Sequence, residues 1–177
     1  MRYENKLIVL CGIPASGKTT YAHNTEESED NIVVVSRDRI RLGMLSENSG
    51  YFDKEKQVYK RYVYEISEYL SQGKTVIADA TQATVKSRKR LFNSLKNIDK
   101  ELFDNIEKVA VNFNADVNSC IKRNEKREGL HKVPNKVIFN FSNIYVPASL
   151  SEGFDRIYTA ETDKYNNSEI DNFILTE

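Results

Sequence analysis

A chain of 177 residues suits one domain, and 40% hydrophobic with 29% charged residues describes a globular protein able to bury a real core. Lysine plus arginine and aspartate plus glutamate both number 26, so the overall charge is no signal for a nucleic-acid partner, although a balanced total can hide a local basic patch. Two cysteines, Cys11 and Cys120, exclude a disulfide framework and read as reduced thiols of a cytoplasmic protein; no run is long enough to span a membrane, and the apolar run after Lys6 is too short for a signal-peptide core.

Leu7 to Cys11 is a compact apolar run, a glycine-bearing loop follows at once, and Lys18 to Asn24 reads as a helix. The acidic stretch Glu26 to Asp30 is a solvated connection, and the β-branched run Ile32 to Val35 suits a strand covered on both faces. A short helix is expected from Asp38 to about Leu45 and a loop over Ser46 to Gly50. Val58, Tyr62, Ile66 and Leu70 then mark one stripe of a long helix that Gly73 stops. Thr75 to Ala78 is a third strand ending in Asp79, and Thr84 is placed to cap a basic helix through Leu95. Val109 to Phe113 is a fourth strand. Asp116 caps a helix through about Glu128, Pro134 opens another toward Tyr145, and Arg156 to Thr159 is suited to a last strand.

Alternating strands and helices predict an α/β fold of three layers, with a parallel sheet of four or five strands covered on both faces. The expected organisation is one catalytic domain over residues 1–160, with a helical lid at about 116–146, and an acidic C-terminal extension over 161–177. In such sheets ligands bind beyond the carboxyl ends of the strands, a rule that gathers Ser16 to Thr19, Asp38 and Asp79 at one rim.

Gly12-Ile-Pro14-Ala15-Ser16-Gly17-Lys18-Thr19 meets every fixed position of the Walker A pattern, between a strand and a helix as the pattern requires. Backbone N–H groups of Gly12 to Thr20 would cradle the phosphates of ATP or GTP, helped by the partial positive charge of the helix start. Lys18 would reach the β- and γ-phosphates, while Thr19 would ligate Mg²⁺ with Asp79 in the Walker B position. Asp79 or Thr81 as a cap of the next turn is the competing account. Cys11 reads as strand packing.

Asp38 with Arg41 three residues on would share one helical face toward the cleft, a general base and a cation for an incoming hydroxyl; a helix cap and a surface charge explain the same spacing. Arg123 and Arg127, four apart, could clamp the triphosphate or line a solvated face. Lys86, Arg88, Lys89 and Arg90 form a basic cluster near the same rim, with Arg88 the candidate to touch an anionic acceptor and a plain basic helix face as the alternative. Exposed rings among Tyr51, Phe52, Tyr59, Tyr62, Tyr64 and Tyr69 could stack on bases, most being core or helix surface. His131, without a local partner, is not a base candidate.

The set Gly-x-Pro-x-Ser-Gly-Lys-Thr-Thr, Ser36-Arg-Asp38-x-x-Arg41 and Lys122-Arg123-Asn124-x-x-Arg127 before Val133-Pro134 resembles the kinase domain of phage-type and bacterial polynucleotide kinases over roughly residues 5–160. The resemblance implies transfer of a γ-phosphate to the 5′-hydroxyl of DNA or RNA, with Asp38 as base, Arg41 on the acceptor and Arg123 and Arg127 as lid arginines. Asp79-Ala-Thr81-Gln82 is similar to the Asp-Ala-Thr-Asn run of the wider group of P-loop kinases, which implies acceptor contacts at Thr81 and at Gln82, where this chain departs from asparagine. The absence of an Asp-x-Asp-Gly-Thr run argues against an attached phosphatase. A small hydroxyl acceptor, such as a nucleoside, sugar, antibiotic or nucleotide-sugar, stays open as the alternative, followed by a nucleotide switch or ATPase.

Overall fold

The structure, a computed structural model, describes residues 5–46 and 50–162 together with the backbone of 175–176. In chain order it forms β1 (Lys6–Cys11), α1 (Lys18–Ser28), β2 (Ile32–Ser36), α2 (Arg37–Met44), α3 (Glu55–Ser71), β3 (Thr75–Asp79) and α4 (Val85–Ile98). There follow α5 (Lys100–Asn105), β4 (Glu107–Asn114), α6 (Val117–Glu125), α7 (Asn135–Ile144), β5 (Arg156–Glu161) and β6 (Leu175–Thr176). The sheet order is β2-β3-β1-β4-β5-β6. The first five strands run parallel, and β6 pairs antiparallel with β5. No helix among the described residues is long and apolar enough to cross a membrane.

Strand alternation splits the core between two layers. Leu7, Val9, Val76 and Ala78 meet Tyr62 and Ile66 of α3 and Leu91 and Phe92 of α4 on one face. Leu10, Val34, Ile77 and Val111 meet Ala22 of α1 on the other. A smaller cluster of Ile13, Ala15, Cys120 and Ile138 fastens α6 and α7 to the loop after β1. Each fully buried Leu or Ile contributes roughly 1.5–3 kcal/mol, so this third cluster ties the proposed lid to the loop it would cover.

The expected helix stripe of Val58, Tyr62, Ile66 and Leu70 is buried in α3. Thr84 caps α4 in a reciprocal box with Ser87. Several boundaries differ from expectation. α1 runs to Ser28, so Glu26 to Ser28 of the expected solvated connection are helical, and Glu26 accepts from Val34 N at 2.8 Å. α5 was not anticipated; Asp99 ends α4 and starts α5 by accepting from Leu102 N. β4 begins at Glu107 because Lys108 N donates to Asp155 and extends the ladder backwards. α6 stops at Glu125, since the buried Asn124 side chain donates to Val133 O at 2.7 Å and accepts from Val133 N at 3.1 Å, which folds the chain back early. The loop expected over Ser46 to Gly50 and the C-terminal extension lie partly outside the described residues, at 47–49, 163–174 and 177.

Candidate active site

The central position of β1, between β3 and β4, sets the loop after Cys11 at the rim where β2 and β3 also end. Gly12 is required by space: an added Cβ would lie 2.8 Å from Ser16 Oγ and 2.9 Å from Phe113 Cβ. Ala15 and Gly17 both take left-handed backbone, φ 62 and φ 104, which turns successive N–H groups inward. Ser16 and Lys18 are buried, whereas Thr19 and Thr20 are exposed. The Lys18 ammonium folds back on the loop, donating to Ile13 O at 2.7 Å and to Ser16 Oγ at 3.4 Å. Burial lowers it to about 8, against the opposing pull of Asp79.

Thr19 Oγ1 donates to Asp79 Oδ2 at 3.2 Å, uniting the two residues expected to hold Mg²⁺. Asp79 is 6% exposed, and burial raises its carboxyl above the ordinary range while Lys18 and Thr19 oppose that rise. Two hard oxygens side by side at the phosphate loop fit Mg²⁺, which takes few protein ligands and completes its shell with phosphate oxygens and water.

Asp38 does not cap the helix. Ser36, not Asp38, caps α2 by accepting from Arg39 N. Asp38 stands in the first turn with its carboxylate 71% exposed and ion-paired to Arg41. Arg41, by contrast, is 7% exposed. Its Nε and Nη2 donate to Glu55 at 3.0 and 3.2 Å, and the rings of Tyr51 and Phe52 lie 5.0 and 5.3 Å from the guanidinium. Burial opposes the Arg41 charge, but Glu55 and Asp38 outweigh it and hold the group above its ordinary value. Glu55 is likewise raised by burial and lowered more strongly by Arg41 and Arg37, ending below the usual carboxylate range. Sequence reasoning missed Glu55, which precedes the apolar stripe of α3 and carries no motif.

Arg123 sits against the phosphate loop, its Nη1 donating to Ala15 O at 3.5 Å and its Nη2 to Thr162 O at 2.9 Å. Arg127 does not share its helical face as expected, because α6 ends at Glu125. Of the two, Arg123 is the one hydrogen-bonded to the phosphate loop. Arg127 Nη1 donates to His131 O at 3.5 Å.

Arg88 is the clear correction. It is fully buried, paired with Glu152 at 2.8 Å, and donates to Gln82 O and Val146 O at 2.8 and 2.9 Å. The fixed acceptors of Arg88 leave it to brace the chain after Asp79 and offer no cation to a surface ligand. Lys86, Lys89 and Arg90 remain exposed, and the Arg90 guanidinium stacks 3.8 Å over the Tyr59 ring. Of the remaining rings, Tyr62 is buried, and Phe52 and Tyr64 are 67% and 51% exposed. Gln82 is buried and Thr81 half-buried. Burial pushes the Cys11 thiol up to about 12, as a packing residue requires.

Residues 7–143 match the family model described as AAA domain. A chain of the Pnkp1/Rnl/Hen1 RNA repair complex is similar at 24% identity and a TM-score of 0.67, covering 81% of this chain and 44% of that one. A fungal RNA kinase is similar at 16% identity and a TM-score of 0.65, covering 92% and 40%. A gluconokinase from Sinorhizobium meliloti 1021 is similar at 16% identity and a TM-score of 0.57, covering 96% and 89%. This chain thus spans less than half the length of the two RNA-processing chains.

Proposed function

We propose, from the premise that this chain belongs to the AAA domain family of P-loop kinases, that it transfers the γ-phosphate of ATP (or GTP) to the 5′-hydroxyl end of DNA or RNA. The observation that carries the reading is the pairing of an exposed carboxylate with a buried cation at Asp38 and Arg41. A hydroxyl acceptor needs orientation and a base, which an anchored cation and an exposed carboxylate side by side can supply. Asp38 follows β2 by two residues and Asp79 ends the neighbouring β3, with Ser36 paired to Asp79 across the ladder, which supports a base near the donor site.

In this reading Lys18 swings from Ile13 O to the β- and γ-phosphates, which wrap into the N–H groups of Gly12 to Thr20. Thr19 and Asp79 hold Mg²⁺, which supplies charge neutralisation on the phosphate oxygens when bound. Arg41 fixes the acceptor end, held by Glu55, and Asp38 takes the proton of its hydroxyl. The hydroxyl oxygen bonds to the γ-phosphorus as the bond to the β-γ bridging oxygen breaks. Arg123 and Arg127 close over the departing charge as a lid built on residues 116–146. Thr81 belongs to the acceptor side. Cys11 and Cys120, both buried and neither in a disulfide, accord with a cytoplasmic setting.

One observation favours a small hydroxyl acceptor as the second reading: the fold shared with the gluconokinase extends over 96% of this chain and 89% of that one. Incubation with γ-labelled ATP or GTP, Mg²⁺ and 5′-hydroxyl oligonucleotides decides between them, beside Asp38→Ala and Lys18→Ala. Label on the oligonucleotide that Asp38→Ala abolishes supports the first reading. Nucleotide binding without transfer to any DNA or RNA refutes it, and transfer to gluconate or a nucleoside supports the second.

A further inference from the structure

Phe52, in the loop between α2 and α3, holds its ring 67% exposed. A single apolar side chain in solvent is ordinary, so exposure by itself assigns nothing. The setting of Phe52 is what singles it out. Gly50 N donates to Asp53 Oδ2 at 2.7 Å and Asp53 N to Gly50 O at 3.1 Å, while Glu55 N donates to Phe52 O at 3.1 Å as α3 begins. Lys54 Nζ ties the same loop to α2 by donating to Met44 O at 2.7 Å. The Tyr51 ring meets Phe52 edge-on, with 4.8 Å between centroids and 89° between planes. A flat apolar surface is thus ordered before any ligand arrives, so little entropy is lost there on binding.

The ring also adjoins the proposed acceptor site. The Arg41 guanidinium lies over it at 5.3 Å, and Arg41 Nη1 pairs with Asp38. One buried cation therefore touches both the proposed proton acceptor and the open ring. Glu55, whose N–H closes the turn at Phe52, also accepts from Arg41 Nε at 3.0 Å, so one residue links the loop to the cation. An acceptor that fits both features carries a hydroxyl at one end and a flat face close by. The end of a polynucleotide meets that description, since only the ribose separates its 5′-hydroxyl from its first base. An open-chain sugar acid such as gluconate offers hydroxyls and a carboxylate, with no flat ring to lay on Phe52.

Resting on the kinase reading above, we infer that Phe52 is a stacking platform for the nucleobase of the acceptor's 5′-terminal nucleotide, a specificity-determining residue that favours ends carrying a base. Stacking on a π-face tolerates every base, so the choice is base against no base and not one sequence against another. Tyr51 and Arg41 hold the ring in place, and no proton or bond of the transfer passes through it.

The test is steady-state phosphorylation of two 5′-hydroxyl oligonucleotides, identical except that the first nucleotide carries adenine or is abasic, by the wild type, Phe52→Leu and Phe52→Trp. Leucine keeps apolar bulk without a flat face and tryptophan keeps the face, while thermal melting and nucleotide titration check that the fold and the donor site are kept. The wild type is expected to favour the base-bearing end by about tenfold in kcat/KM, within the usual worth of one stacked base. Phe52→Leu should cut that preference to about twofold, with the change carried by KM for the base-bearing end, and Phe52→Trp should restore it. Equal use of both ends by the wild type overturns the inference alone. A preference that survives Phe52→Leu also overturns it, whether or not both ends slow together, since the base is then read elsewhere and Phe52 is merely structural. No transfer to either end overturns the inference together with the kinase reading beneath it.

Discussion

Lys18 lies 6% exposed with its charge turned into the phosphate loop, and burial lowers it from 10.5 to about 8. At about 1.4 kcal/mol per pH unit, keeping the buried proton costs the folded protein about 3 kcal/mol below pH 8. Between pH 8 and 10.5 the unfolded chain holds a proton that the folded chain has released, so stability rises with pH across that window. Lys18→Met removes this cost but also removes donors to Ile13 O and Ser16 Oγ and the cation beside Asp79. Each lost hydrogen bond subtracts about 1 kcal/mol. The variant is therefore expected to be more stable than the wild type at pH 7 by about 1 kcal/mol, and the difference should swing toward the wild type by about 2 kcal/mol by pH 10. Urea denaturation of both proteins across pH 7 to 10 reads this directly, because the other titrating groups are present in both proteins and only Asp79, next to the lost cation, changes its surroundings. A difference that stays flat with pH, or a variant least stable at neutral pH, refutes the buried-cation account. Nucleotide titration should show binding lost in the same variant.

Asp38→Asn should lower the transfer rate by about 10²- to 10⁴-fold, the usual worth of a general base, with nucleotide affinity retained; single-turnover kinetics and nucleotide titration separate the two. Glu55→Gln should weaken the Arg41 anchor, destabilising by about 1–2 kcal/mol because Glu55 is 30% exposed and Asp38 still pairs with Arg41. Urea denaturation checks it, and a raised KM for the acceptor should accompany it. Asn124→Ala should leave both backbone groups of Val133 without their partner, costing about 1–3 kcal/mol and speeding proteolysis between residues 126 and 133 with α1 and the sheet intact.

How much of the site was legible depended on how local each feature is. The phosphate loop was readable because its strand, glycines and helix are contiguous. Asp38 and Arg41 were readable as a pair but not in their roles, since neither the Ser36 cap nor the depth of Arg41 shows in a four-residue spacing. Arg88 carried a usable signal that charge counting hid. It falls in register with Leu91, Phe92 and Leu95, the buried stripe of α4, while Lys86, Lys89 and Arg90 point away. Arg127 was misplaced because the turn after α6 depends on Asn124 reaching Val133, nine residues on.

By itself the sequence determined the strand and helix alternation, the parallel sheet, the phosphate-binding loop and the candidates Asp38 and Asp79 at one rim. These follow from hydrophobic period and from short motifs, whose physical requirements are met within a few residues. Tertiary structure alone decided which charges are usable. Glu55 reaches Arg41 across 14 residues, Glu152 neutralises Arg88 across 64, and Thr19 meets Asp79 across 60. A side chain's charge acts through its burial and its partners, and the chain specifies both only once distant segments have packed.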